Sequence, residues 1–173
     1  MNEELNQLLE GATGTVHNIL VNRCNSAILM VLKLAKKVNG KKVVLVQDQG
    51  GWLSYEKLAK KAGLEIRKIK TKDGVIVDYK QLFDEDVCAV LFTQVAGYCL
   101  KQEWNIKHLL ATNKSKALAI MDCSGCIGTP LCNGAFADLV VASFGKWKAL
   151  DVGYGGVIGT STDEYFEILK ELK

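Results

Sequence analysis

Residues 117–160 read ALAIMDCSGCIGTPLCNGAFADLVVASFGKWKALDVGYGGVIGT. Two short apolar runs in this stretch end on polar residues, the first on Asp122 and the second on Ser143 just before Lys146 and Lys148; a third follows Gly155 and Gly156. Each run is too short for a helix and is bounded by glycine and small polar breakers, the pattern of a buried strand. Open α/β sheets bind ligands in the crevice beyond the carboxyl ends of their strands. An acid and a lysine at two such ends predict a chemical site in that crevice.

Outward from this stretch, strands and helices alternate. An amphipathic helix is expected over 1–11, with Leu5, Leu8 and Leu9 on one side. A strand is expected at 19–21, then a helix carrying Ala27, Ile28, Met30, Val31, Leu34 and Ala35 inward, with Asn25 or Ser26 as its cap. Residues 43–47 (VVLVQ) predict a strand, 53–62 a helix closed by Gly63, and 64–69 a strand whose interleaved Glu65, Arg67 and Lys68 suit a sheet edge. The TKDG turn, a short helix within 77–86, a buried strand at 87–93, a loop over 94–101 and a helix at 105–111 complete the approach. A last helix is expected over 162–172, with Ser161, Thr162 or Asp163 as its cap. The alternation argues for an α/β fold of three αβα layers around a mostly parallel seven-stranded sheet. With 173 residues and no internal linker, residues 1–173 are read as a single domain.

Composition narrows the function classes. Apolar residues make up 49% and charged residues 24% of the chain, as in ordinary globular proteins. The net charge of +3 is spread over lysines that alternate with acids, so nucleic acid is not the expected partner. No stretch reaches the roughly 20 apolar residues of a membrane helix, and the acidic start lacks the basic and apolar regions of a signal peptide. The expectation is a cytoplasmic protein whose six cysteines are reduced.

The candidate site residues are Cys24, Asn25 and Ser26 at a helix start, Trp52 after the second strand, Gln94 after the fourth, Asp122 with Gly125 behind it, and Ser143, Lys146 and Lys148. The free N–H groups of a helix start make an anion site, although the same residues also read as an ordinary cap. A flat indole at Trp52 can pack on an aromatic ligand or simply fill a core. Asp122 emerges from an apolar strand into the crevice, or else caps the CSGC loop. A lysine with cationic neighbours and a desolvated pocket is activated as a nucleophile, whereas a lone surface lysine is inert. Cys123 and Cys126 form C-x-x-C with Cys132 six residues on, but no second pair and no nearby histidine completes a four-ligand metal set. No metal is expected, and no G-x-G-x-x-G follows the first strand to hold a dinucleotide.

In order and spacing these residues resemble the fold type I pyridoxal-phosphate enzymes, and within them the DegT/DnrJ/EryC1/StrS aminotransferase group, over nearly the whole chain. The resemblance implies pyridoxal 5'-phosphate as cofactor. It places the phosphate at Cys24, Asn25, Ser26 and Ser143, the ring against Trp52, and Asp122 on the ring nitrogen. A lysine after Ser143 would form the internal aldimine: Lys148 keeps the Ser-Phe-x-x-x-Lys spacing, and Lys146 suits the Ser-x-x-Lys spacing of related enzymes. The group's Gly-Thr pair is Cys24-Asn25 here, and its glutamine three residues after the aspartate is Gly125, for which Gln94 is a substitute. The implied partners are a small-molecule amino donor and acceptor, and a homodimer mate or partner subunit supplying the group's C-terminal small domain, which the chain is expected to lack. The alternative expectation is a non-catalytic subunit or scaffold with the same fold, and a lesser one a cysteine-based metal or redox protein.

Overall fold

The computed structural model describes residues 3–72, 75–76, 79–94, 106–112 and 114–173. Residues 95–101 of the loop expected over 94–101, residue 105 of the expected helix and residues 77–78 of the expected short helix lie outside the described residues, as do Asp73 and Gly74 of the TKDG turn.

The chain runs α1 (Glu3–Thr13), β1 (His17–Val21), α2 (Cys24–Asn39), β2 (Val43–Gln47), α3 (Tyr55–Ala62), β3 (Glu65–Ile69), β4 (Thr71–Lys72) and β5 (Val75–Ile76). A single 3-10 turn at Tyr79–Phe83 takes the place of the short helix expected there. Then come β6 (Val87–Thr93), α4 (Ile106–Thr112), β7 (Leu118–Asp122), β8 (Leu139–Ser143), β9 (Gly156–Thr160) and α5 (Asp163–Leu172). Seven strands form one sheet in the order β1-β9-β8-β7-β6-β2-β3, while β4 and β5 pair as a separate ribbon. From β3 to β8 the neighbours are parallel, and β9 is antiparallel to both β8 and β1. The sheet is therefore mostly parallel, as the alternating pattern implies, with two antiparallel pairs at one end.

Alternation along each strand divides the core into two layers. Leu45, Val90, Met121 and Val140 face Leu9 of α1 and Ile106 and Leu110 of α4. Val44, Leu91, Ile120 and Val141 face Val31 of α2, Leu58 of α3 and Leu169 of α5. One irregularity interrupts this phase: Val43 pairs with Val87 but Val44 pairs with Ala89, so Cys88 is the extra residue of a bulge. Cys88 and Ala89 consequently both lie with the α2 layer. At the β3 edge, Arg67 donates to Asp84 at 2.8 Å and is also ion-paired with Asp86; these charges protect an edge strand from further pairing.

The helix ends depart partly from expectation. Gly40 and Gly63 close α2 and α3 in the left-handed conformation. The N-cap of α2, however, is Arg23, without a side-chain cap. Asn25 and Ser26 already belong to the first turn, where the Ser26 hydroxyl donates to Asn22 Oδ1 at 2.7 Å. Thr162 caps α5 through its carbonyl, which accepts from Phe166 N at 3.1 Å, and not through its hydroxyl.

Candidate active site

A cleft of about 710 Å³ opens at the carboxyl ends of β6, β7 and β8, on the α2 and α3 side of the sheet. The pleat explains why it is polar there. Leu118 and Ile120 pack toward α2 and α3, and Asp122, two residues further on, leaves the strand on that same side at its end. The first turn of α2 and the loop between β8 and β9 both contribute to its walls.

Asp122 forms the floor and is 3% exposed. Its Oδ2 accepts from the Tyr55 hydroxyl at 2.6 Å, and its Oδ1 accepts from Ser124 N at 3.0 Å. Among the described residues no lysine, arginine or histidine forms an ion pair with it. A buried carboxylate held by donors but lacking a counter-cation is costly, and the cleft it faces has room for one.

The segment SFGKWK curls into a turn in which Lys148 N donates to the Gly145 carbonyl at 3.2 Å. Trp147 takes a left-handed backbone at φ 68°, a conformation that L residues adopt only when the surroundings hold it. Here the Asp151 carboxylate does so, accepting from Trp147 N at 2.9 Å and Gly153 N at 2.8 Å. The turn sends Lys148 into the cleft, half-buried, and leaves Lys146 exposed and outside the lining. Lys148 Nζ sits 4.9 Å from the centroid of the Trp52 ring, a cation–π contact. Trp52 itself is 52% exposed and lines the cleft, not the core.

From the first turn of α2, Cys24 and Asn25 line the cleft whereas Ser26 does not. Asn25 Oδ1 accepts from the Ser54 hydroxyl at 3.0 Å. The Cys24 thiol lies 3.4 Å from the Ser124 hydroxyl; burial, then the nearby Asp122 charge, pushes its pKa up to about 12. Ser143 lines the cleft and its hydroxyl accepts from Gly145 N at 3.3 Å. Gln94 and Gly125 also reach it, and the Gln94 amide donates to Met121 Sδ at 3.8 Å. The expected residues thus converge, apart from Ser26 and Lys146.

Sequence reasoning misses Arg23, Tyr55, Thr93 and Ser124. Arg23 lines the cleft beside Cys24, and its one signal is a cation directly before a helix start. Tyr55 reads as an ordinary core aromatic inside a helix. The cleft is lined in addition by Gly50, Gly145, Gly153 and Gly155. At the adjoining Gly156, an added Cβ would stand 2.8 Å from Cys24 N, so only glycine lets β9 pass this close to α2. The donor set suits a phosphorylated pyridine aldehyde. Helix N–H groups, the Arg23 guanidinium and the Ser143 hydroxyl suit its anion, Asp122 suits a protonated ring nitrogen, and Lys148 suits the aldehyde.

Cys123, Cys126 and Cys132 are buried behind Asp122 in the layer facing α1 and α4. Cys123 shares sulfur hydrogen bonds with both of the others; these, and then burial, raise its pKa, whereas the bond with Cys123 lowers that of Cys126 against the effect of burial. The five described cysteines are free thiols. Among the described residues no group of histidine, cysteine, aspartate or glutamate has the arrangement to hold a metal ion, and no helix is long and apolar enough to cross a membrane.

Comparison with known proteins matches the sequence to the DegT/DnrJ/EryC1/StrS aminotransferase family over residues 1–173. No curated protein matches it. Among solved structures, the sugar aminotransferase CalS13 of Micromonospora echinospora superposes with a TM-score of 0.76 at 19% identity, over 96% of this chain and 48% of its own. The aminotransferase PseC of Helicobacter pylori, involved in pseudoaminic acid biosynthesis, gives 0.78 at 17% identity, over 96% and 46%. NtdA of Bacillus subtilis, with bound cofactor PMP, gives 0.78 at 18% identity, over 96% and 38%. The chain spans about half the length, or less, of these structures, and the likeness establishes the fold.

Proposed function

The chain belongs to the DegT/DnrJ/EryC1/StrS aminotransferase family, and on that premise we propose that residues 1–173 are the cofactor-holding domain of a pyridoxal-phosphate-dependent aminotransferase. The observation that carries this reading is the buried Asp122 carboxylate, which among the described residues has no ion-pair partner and faces the cleft that Lys148 enters. When bound, pyridoxal phosphate supplies an electron sink that stabilises negative charge beside the substrate nitrogen.

The chain's own residues take the following parts. Asp122 accepts the proton-bearing ring nitrogen and, as an anion, keeps that proton in place. Lys148 would present its primary amine to the cofactor's aldehyde group and would hold or move a proton at its Nζ. Arg23, the first turn of α2 and Ser143 neutralise and orient the phosphate. Trp52 covers one face of the ring and excludes water, and its contact with Lys148 Nζ holds the amine nearby. Gln94, which lines the same cleft as Gly125, is the proposed substitute for the family's glutamine.

A small-molecule amino donor and acceptor are the proposed substrates. A second copy of the chain is the proposed partner, because the cleft is rimmed by exposed apolar residues: Leu53 is 95% exposed, Trp147 93%, Tyr154 78% and Val152 64%. The proposed setting is the cytoplasm. A second reading, a scaffold that retains the fold without turnover, draws on Cys24-Asn25 and Gly125, which stand where the family has Gly-Thr and glutamine.

Purified protein titrated with pyridoxal phosphate, reduced with borohydride and mapped by mass spectrometry decides between them. A new visible absorbance band and a reduced adduct on Lys148 support the enzyme. The absence of both at stoichiometric and excess cofactor supports the scaffold.

A further inference from the structure

Tyr55 opens α3 and is 3% exposed, yet its hydroxyl is not merely stowed in the core. It lies 2.6 Å from Asp122 Oδ2 and 2.7 Å from Thr93 Oγ1. A phenol has one proton to donate, and an ionised carboxylate can only accept. The direction is therefore fixed: Tyr55 donates to Asp122, and the Thr93 hydroxyl donates to Tyr55. Thr93 is in turn fixed at its backbone, where its N–H donates to Gln47 Oε1 at 2.8 Å, and the Gln47 amide donates to the Gln49 carbonyl at 2.8 Å. With Ser124 N on the other oxygen, each carboxylate oxygen has one donor. The plane of the group is set and lone pairs remain for a ligand.

We propose that Tyr55 is a positioning residue for Asp122, orienting the carboxylate toward the cleft and holding it as an anion so that a cationic ring nitrogen, not Asp122, keeps the shared proton. This rests on the pyridoxal-phosphate reading above. Three elements bring titratable groups to Asp122: Cys24 from α2, Tyr55 from α3 and Cys126 from its own loop, with Lys148 lining the same cleft. Burial and the Asp122 charge raise the Tyr55 pKa well above its usual value, so Tyr55 stays a donor throughout the neutral range.

The test is equilibrium titration with pyridoxal phosphate isotope-labelled at its ring nitrogen, with affinity and the nitrogen NMR shift of the bound cofactor read in the full chain and in Tyr55→Phe. In the wild type the shift is that of a protonated ring. In Tyr55→Phe affinity drops about tenfold and the shift moves toward that of the unprotonated ring. Thr93→Val, which removes only the hydroxyl behind Tyr55, moves the shift in the same direction by a smaller amount, and it decides the matter if Tyr55→Phe does not fold. A folded Tyr55→Phe with an unmoved shift overturns the inference, as does an unmoved shift in Thr93→Val where that variant must decide. If the wild type itself binds no pyridoxal phosphate, the functional reading fails instead. A residue that only filled space would change stability without moving the shift.

Discussion

Lys148 and Lys146 stand two residues apart, and the strained backbone at Trp147 between them sends one into the cleft and the other to solvent. Lys148→Ala is expected to abolish borohydride-trapped cofactor, whereas Lys146→Ala retains most of it; peptide mapping of the reduced protein distinguishes them. Asp122→Asn, nearly the same shape without the charge, is expected to weaken cofactor binding by about 2–5 kcal/mol, since it removes one member of a buried charge pair; equilibrium titration gives the value. Asp122 was legible as a cleft residue because it closes an apolar run whose end can be located, whereas the choice between Lys148 and Lys146 stayed open because it turns on the path of the segment after Ser143. The partner of Asp122 was not legible. Tyr55 is distant from it in sequence and joins it only through the packing of α3 on the sheet, which no local pattern encodes. Trp52 was legible as a cleft aromatic, but its contact with Lys148 depends on the path of the SFGKWK turn.

The first turn of α2 and the start of β9 meet at Gly156. Gly156→Ala would set a Cβ 2.8 Å from both Cys24 N and Ala142 O. Overpacking of this kind costs about 1–3 kcal/mol, and thermal denaturation should show the midpoint falling by about 4 °C or more. The same change pushes Cys24 and Asn25 away from the cleft, so cofactor affinity should fall with stability. Strand existence was readable from apolar runs bounded by glycine, and the edge position of β3 from its charges. The reversal of β9 was not, because a five-residue run carries no mark of direction. Nor was the bulge at Cys88, where VCAVLFT looks like an uninterrupted buried strand. The shift of the α2 cap from Asn25 to Arg23 likewise comes from a close backbone approach, as Arg23 pairs with Gly155 in an isolated bridge.

For the whole molecule, buried groups that resist ionisation set the alkaline limit. The Cys24 pKa rises from 9.0 to about 12 and that of Cys88 from 9.0 to about 11, both chiefly through burial. A folded pKa above the unfolded one means stability is complete below pH 9 and declines as pH climbs toward the folded values. Denaturation midpoints should accordingly be level below pH 9 and fall between pH 9 and 11, less so in Cys88→Ala than in the wild type. Association is a second property at this scale: Trp147→Ser with Tyr154→Ser should turn a dimer into a monomer by light scattering, if a second copy covers the rim as proposed. The pairing of Ser143 with Gly156 has a further consequence. Both stems of the intervening segment leave and rejoin the sheet side by side, and Asp151 braces its interior, so residues 144–155 form a cassette. Transplanting it into another protein with the same two strands would carry the Lys148 amine along with the turn that aims it, leaving the rest of the host untouched.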